Sequence, residues 1–192
     1  MSLSIKPISQ IPNKGLKATF TLPATPVVTT ADAKAYCRVD FSEDDDLIDA
    51  LVSSSTHWVQ NKLNRCLINQ TVVAEWDSVG YEVPLPFIPV GTISEVVTIN
   101  DEGTESELVL NTGYYKRNDM LKVSTPLGLK VTYTSGYGTA STDVPTPIIT
   151  AIKRLVLALY DRRDDEVQET NIEQIEINLM ALIQPYINYN HF

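Results

Sequence analysis

The chain has 192 residues, of which 43% are hydrophobic, and it carries a formal net charge of −9 from 24 acidic and 15 basic residues. This length and composition predict one domain, or two small ones, with an ordinary hydrophobic core. Adjacent basic residues occur at Lys116-Arg117, Lys153-Arg154 and Arg162-Arg163, and no larger basic cluster is present, which disfavours a free-standing DNA-binding surface. No apolar run approaches the roughly 18 residues of a transmembrane helix, so we expect no membrane partner.

The start of the chain predicts an extended arm. Residues 1–28 contain four prolines and no sustained hydrophobic period. Alternation between Leu16 and Leu22 leaves room for one edge strand within this arm. The arm lacks the apolar core of a signal peptide, so we expect no export. The chain has two cysteines, Cys37 and Cys66. We interpret them as two thiols in a reducing compartment and not as a disulfide, although the sequence allows both.

Two helices are predicted after the arm. Thr29 or Thr30 can cap a short helix from Thr30 to Val39, and Asp32 would lie in its first turn. A longer helix is predicted from Glu43 to Asn64, and Ser42 and Asp45 have the spacing of a capping box at its start. One face of this helix is apolar at helical spacing; its members are Leu47, Ile48, Leu51, Val52, Ser55, Trp58, Val59 and Leu63.

The hydrophobic period changes in the middle of the chain. Strands are predicted at 71–76, 93–99, 107–110, 120–123 and 129–133, and the run Asp101-Glu102-Gly103 is typical of a hairpin turn. A third helix follows, with Thr146 as its cap, Pro147 at its first position and a broad apolar face between Ile148 and Tyr160. A last helix is predicted from Asn171 to Ile183, where Pro185 ends it.

The residues after this last helix form an aromatic tail. Tyr186, Ile187, Tyr189 and Phe192 cannot continue the apolar stripe of the helix, and large apolar side chains are costly to leave in water. Two interpretations are open: the tail docks on a partner surface, or it folds back on its own helices. We take these four residues as candidate partner-binding residues.

The sequence contains no constellation that predicts catalysis, a cofactor or a metal site. Glu43 to Asp46 lack the ligand spacing and central glycine of a calcium loop, so we interpret them as acidic residues at a helix start. His57 and His191 are the only histidines, and no zinc-binding pattern or nucleophile elbow is present. Gly136-Tyr137-Gly138 lacks the third glycine of a dinucleotide loop and is typical of a tight turn.

In combination, four segments resemble the head–tail connector (adaptor) proteins of tailed bacteriophages. They are Thr29–Thr71, Leu85–Asn100, Val131–Gly138 and Asp143–Arg163, with weaker similarity at Leu179–Tyr186. In the family a Gly-Arg pair usually ends the long helix, whereas this chain has Asn64-Arg65. Asparagine tolerates the same left-handed backbone conformation, so we expect the same fold.

The resemblance implies an α+β fold that is mainly a helical bundle, with a small antiparallel β insert between the second and third helices. The expected boundaries are an arm at 1–28, a helical domain at 29–66 and 144–184, a β insert at 67–143 and a tail at 185–192. The resemblance also implies a structural virion protein and not an enzyme, with no cofactor, placed at the head–tail junction. Assembly is expected in the cytoplasm of a bacterial host, for a phage or an integrated prophage.

The partners implied by the resemblance are the portal protein, neighbouring copies in a ring expected to be twelvefold, and the tail or a second connector. DNA would pass through the ring as a non-specific cargo, which an acidic surface would allow to slide. Two rival hypotheses are a small ligand- or carbohydrate-binding module, or weak hydrolase, that uses the β insert, and another virion joint such as a tail-completion protein.

Overall fold

The computed structural model describes residues 13–21, 23, 25–124, 127–161 and 178–188. These residues divide into two compact units. The helical unit contains Pro23–Ile68 and the described part of Tyr137–Asn188, and the β unit contains 13–21 and the described part of Asn69–Gly136.

The helical unit contains helix α1 (Thr30–Cys37), helix α2 (Asp45–Leu63) and helix α3 (Thr146–Asp161). Residues 178–183 are also helical and lead into a 3₁₀ turn at Gln184–Tyr186. The rest of the predicted last helix lies outside the described residues.

The core of the helical unit forms where the apolar faces of α2 and α3 meet. Its fully buried members include Ile48, Val59 and Leu63 from α2, together with Ile148 and Ile152 from α3. The predicted face of α2 is largely correct, but Leu47 is 38% exposed. This exposure follows from helical geometry, because Leu47 lies at the margin of a stripe centred on Ile48 and Val52.

Local capping explains where α1 and α2 begin and end. The Thr29 hydroxyl oxygen accepts from the Asp32 backbone N–H at 3.1 Å, and the Thr29 backbone N–H donates to the Asp32 carboxylate at 3.4 Å, which forms a capping box at the start of α1. The Thr29 hydroxyl also donates to the Asp32 carboxylate at 2.8 Å. Asn64 follows α2 in the left-handed conformation expected for it (φ 50°). The capping box predicted at Ser42 and Asp45 is wrong, because Asp44 precedes the first residue of α2 and makes no side-chain capping hydrogen bond. The Asp45 N–H donates instead to the Ser42 backbone carbonyl at 3.2 Å.

The β unit contains eight strands among the described residues. They are β1 (Lys17–Phe20), β2 (Gln70–Trp76), β3 (Glu82–Pro84), β4 (Val90–Ile99), β5 (Glu105–Glu107), β6 (Tyr114–Arg117), β7 (Met120–Val123) and β8 (Gly128–Ser135). One antiparallel sheet has the order β1-β2-β8-β4-β5, and a second has the order β3-β7-β6.

The expectation of a mainly helical bundle with a small β insert is therefore wrong, although the chain is α+β. Eight strands in two sheets make the β structure as prominent as the helices. The sequence pattern missed β3 and β6, because β3 has three residues and ends in Pro84, and β6 buries only Tyr114. Such short strands carry too little alternation to be recognised, and pairing with β7 is what defines them.

The long central strands alternate as the sequence predicts. Val72, Ala74 and Trp76 of β2 are buried, and β2 pairs with β8, in which Leu129, Val131 and Tyr133 are buried. The Asp101-Glu102-Gly103 turn joins β4 to β5, as predicted for a hairpin. The Asn100 side-chain oxygen accepts from the backbone N–H of Thr104 at 2.7 Å and so closes this turn.

The chain leaves the helical unit and re-enters it at adjacent points. The Tyr137 N–H donates to the Leu67 carbonyl at 3.1 Å, and both residues belong to the helical unit. Leu67 is also held by the side-chain oxygen of Gln60, which accepts its N–H at 3.2 Å. Everything between these two points belongs to the β unit except Ile68, which is buried in the helical core.

We therefore expect the helical unit to fold without the β unit. A variant that begins at Pro23 and replaces Asn69–Gly136 with a short Gly/Ser linker should keep its helical circular dichroism and unfold cooperatively. The physical reason is that the linker closes a short gap and so costs little loop entropy, while Ile68 stays in place. Loss of the helical signal would show that the β unit is required for the helices to form.

We also expect the capping box to contribute stability that depends on pH. The hydroxyl of Thr29 lowers the pKa of the Asp32 carboxyl below its usual value, and Lys153 at 3.9 Å acts in the same direction. The contribution is thus fully present above the unfolded-state pKa of Asp32 and is lost as pH falls through its lower folded-state pKa. Thr29→Ala should cost about 0.5–2 kcal/mol in urea unfolding at neutral pH.

The matched control is Thr56→Ala, in the interior of α2, which should leave stability nearly unchanged. Asp32→Asn should lower the free energy of unfolding at neutral pH. The difference in this free energy between the variant and the wild type should become smaller as the pH is lowered. A difference that stays constant down to strongly acidic pH would contradict a role for the ionised carboxylate.

Candidate assembly surfaces

The structure describes two of the four candidate partner-binding residues. Tyr186 ends the 3₁₀ turn, and Ile187 follows it with an extended backbone. Both side chains are half-buried and pack against the core of the helical unit. Tyr189 and Phe192 lie outside the described residues. For Tyr186 and Ile187, these contacts favour the interpretation in which the tail folds back on its own helices.

Arg65 holds the described part of the tail against the end of α2. Its Nε donates to the Tyr186 carbonyl, and its guanidinium lies over the Tyr137 ring, 5.9 Å from the ring centroid. Burial raises the pKa of the Tyr137 hydroxyl, and Arg65 partly opposes this rise. Two residues further along, the Asn188 N–H donates to the Leu63 carbonyl at 2.9 Å. The chain is therefore anchored as far as Asn188.

A second candidate surface lies at one end of the helical unit. Four large apolar side chains are exposed there and are called here the helical apolar patch: Tyr36, Phe41, Leu47 and Leu159. Hydrogen bonds and ion pairs bring the three helix ends together. Asp45 accepts from Lys34 of α1, and the Tyr160 hydroxyl of α3 donates to Asp44 at 2.6 Å.

Exposed carboxylates accompany the members of the helical apolar patch along the sequence. Asp40, Glu43, Asp46 and Asp161 are all exposed and lie beside its members in sequence. Exposed apolar side chains with a polar rim are typical of protein–protein contact surfaces. The sequence pattern assigned Leu47 to the core and did not mark this patch, because only tertiary packing shows which margin of an apolar stripe stays uncovered.

A third candidate surface lies on the β unit. Val109 and Leu110 lie in the loop after β5 and are 66% and 53% exposed, and Tyr115 of β6 is also exposed. The strand predicted at 107–110 would have placed Val109 and Leu110 in the sheet. Instead β5 ends at Glu107, because the chain turns and the N–H groups of Thr112 and Gly113 donate to the Val109 carbonyl.

The described residues include neither a candidate metal-binding group nor a candidate membrane-spanning helix. They contain no group of three or more His, Cys, Asp or Glu side chains that could hold a metal ion. Within the same ranges, every helix is too short or too polar to span a lipid bilayer. Cys37 and Cys66 are both free thiols, and burial raises the pKa of the Cys37 thiol.

Comparison with known proteins identifies a family. A sequence model described as "Phage gp6-like head-tail connector protein" matches residues 28–108, which contain α1, α2 and the strands from β2 to β5. Residues 28–108 are therefore similar to the head–tail connector family. This confirms the resemblance found in the sequence. A search of curated proteins finds no match.

Solved structures share the fold of this chain along nearly its whole length. One is the neck of an empty GTA (gene transfer agent) particle computed with C6 symmetry, with a TM-score of 0.73 and 15% identity, covering 93% of this chain and 97% of the matched chain. Another is the virion of a native GTA particle, with a TM-score of 0.73 and 16% identity, covering 92% and 97%. A third is the neck of a native GTA particle computed with C12 symmetry, with a TM-score of 0.62 and 16% identity, covering 89% and 96%.

The anchoring of the tail generates a stability prediction. Cutting this connector after Gln184 removes the half-buried Tyr186 and Ile187 and the hydrogen bonds made to Arg65 and Leu63. We expect a loss of about 2–4 kcal/mol in the free energy of unfolding. The matched control is a cut after Asn188, which keeps all these contacts and should leave the melting temperature unchanged. Equal melting temperatures for the two truncations would contradict the anchoring.

Proposed function

We propose that this connector is a structural subunit of a ring in the neck of a tailed virion, where it links the portal to a second connector or to the tail. The observation that carries the proposal is the family match together with a fold likeness that covers nearly all of the neck chains. The C6 and C12 symmetry of those neck structures supports a ring of identical copies, for which we propose twelvefold symmetry.

Under this proposal, DNA passes through the ring without being bound tightly. The formal net charge of −9 supports this role, because an acidic surface repels phosphates and leaves few cations for a tight complex. The ring would assemble in the cytoplasm of a bacterial host and remain at the head–tail junction of the finished virion.

The rival functions lack a supporting observation. A ligand- or carbohydrate-binding module, or a weak hydrolase, would need convergent polar or titratable side chains on the β unit. The described part of that unit instead buries apolar side chains, and several of its charges are engaged in ion pairs, such as Lys122 with Glu82 and Lys130 with Glu105. A tail-completion protein is a neighbouring structural role, and the family match favours a connector.

Contacts with the partners are expected to use three surfaces. We propose that the helical apolar patch, exposed Val109 and Leu110, and the tail residues Tyr189 and Phe192 take part in assembly. Tyr186 and Ile187 would contribute indirectly, since they position the end of the chain. We further propose that the helical unit and the β unit are the two functional domains, with residues before β1 as the arm.

The proposal predicts a specific defect when the gene is deleted from the phage or particle that encodes it. Heads and tails should accumulate separately in electron micrographs, and the wild-type chain supplied in trans should restore joined particles. The physical reason is that no other ring would bridge the portal and the tail. Joined particles at normal yield after deletion would overturn the proposal.

The same complementation assay separates the tail from the rest of the chain. Truncation after Asn188 should lower the yield of joined particles while the melting temperature stays at the wild-type value. A normal yield would place the docking surface elsewhere and remove Tyr189 and Phe192 from the proposed partner-binding residues.

A further inference from the structure

The two edges of the five-stranded sheet carry opposite charge. At one edge, β1 exposes Lys17, and Lys14 just before it is also exposed. At the other edge, all three residues of β5 are exposed, and two of them are Glu105 and Glu107. In the described part of the chain, neither strand has a partner on its outer side, because β1 and β5 are the first and last strands of the sheet.

An unpaired edge strand can pair with another chain. Its outer N–H and C=O groups face away from the sheet and form a template for a further strand. Neighbouring strands are about 4.8 Å apart, so four steps place the two edges roughly 19 Å from each other. The sheet therefore has two separate edges of opposite charge, and a further strand can pair with each of them.

The strand directions determine which pairings these edges allow. Four successive antiparallel pairings lead from β1 to β5, so β1 and β5 run in the same direction. If β5 of one copy lay beside β1 of the next copy in the same orientation, the two strands would form a parallel pair. Each copy would then use a different edge on each side, which is the heterologous contact that generates closed rings.

Charge disfavours the alternative two-fold pairings. Pairing β1 with β1 would bring two cationic edges together, each with Lys14 and Lys17. In an antiparallel pair of β5 with β5, Glu105 of each copy would lie opposite Glu107 of the other. Like charges on directly opposed strands are destabilising, whereas opposite charges stabilise the pair. Only the pairing of β1 with β5 brings cations to carboxylates on every copy.

Within each copy, some charged residues of the two edges already have an oppositely charged neighbour and others do not. Lys17 faces Glu75 across the β1–β2 pair, and Glu105 lies 3.7 Å from Lys130 of β8. Glu107 has no ion pair among the described residues. Val109 and Leu110 lie in the loop after β5 and expose apolar surface near the end of this edge.

We propose that β5 of one copy docks beside β1 of the next copy, and that this edge-to-edge contact joins neighbouring subunits of the ring. The inference rests on the proposed ring function and names the surfaces that build it. Because both strands are short, the contact is weak by itself and depends on ionic strength. In a closed ring, this contact forms once for every subunit, so its weak contribution is repeated around the ring.

The test uses two single charge reversals in the full chain, Lys17→Glu and Glu107→Lys. Sedimentation velocity at low ionic strength measures their self-association. Each variant should weaken it about tenfold, because one edge then faces a like charge. Mixing the two variants in equal amounts should restore association, since the reversed edge of each then meets a complementary edge. The double variant should associate by itself.

Matched controls carry the same charge changes on the helical unit. Arg154→Glu and Asp49→Lys alter exposed residues of α3 and α2 that lie outside the proposed assembly surfaces, and they should associate like wild type. Melting temperatures check folding. Lys17→Glu places a like charge opposite Glu75 and could weaken β1, so Glu107→Lys provides the second, independent variant.

The edge contact would be overturned if both variants folded and associated as strongly as the wild type. It would also be overturned if mixing the two variants did not restore association. If the wild-type chain stays monomeric in solution, the same variants are scored by complementation of the gene deletion. Reduced joining for each reversal and recovery for the double variant support the contact, and normal joining by the single reversals overturns it. That result would leave the ring function standing, because the deletion defect tests the function separately.

Discussion

The packing of α2 against α3 is the contact on which the helical unit depends. The two helices are separated in sequence by the whole β unit, yet Ile48 and Val59 of one share a buried cluster with Ile148 and Ile152 of the other. Removing these faces from water supplies the main stabilising free energy. The short helix α1 and the described tail add to this pair through capping, ion pairs and the Arg65 contacts.

The same arrangement permits a β unit to be inserted without disturbing the helices. The hydrogen bond between Tyr137 and Leu67 brings the two junctions together, so the chain crosses out of the helical unit and returns at one place. The β unit then builds its own core around residues such as Trp76 and Tyr133, both fully buried. Each unit can therefore present a surface of its own.

Charge distinguishes the two edges of the five-stranded sheet from each other. The chain is acidic overall, but its lysines and glutamates are not evenly spread, and the two edges of the five-stranded sheet differ in sign. Identical subunits that form a ring need two different complementary surfaces. A pair of unlike edges on one sheet meets this requirement without any catalytic or ligand-binding group.

Much of the helical unit was predictable because its signals are local. The apolar spacing of α2 and α3, the capping role of Thr29 and the left-handed Asn64 are all encoded within a few residues, and the structure confirms them. The combination of segments also led to the connector family, which the comparison supports. The long strands β2 and β8 were found for the same reason, since their alternation is complete within each strand.

The sequence by itself determined the helix faces, the main strands, the acidic balance and the family. Tertiary structure alone decided that the β structure is as prominent as the helices, because β3 and β6 exist only through pairing with β7. It also decided that Leu47 is exposed, that Tyr186 packs on the helical core, and that β1 and β5 become opposite edges of one sheet. These properties arise from contacts between residues far apart in the chain, and no local pattern of side chains specifies them.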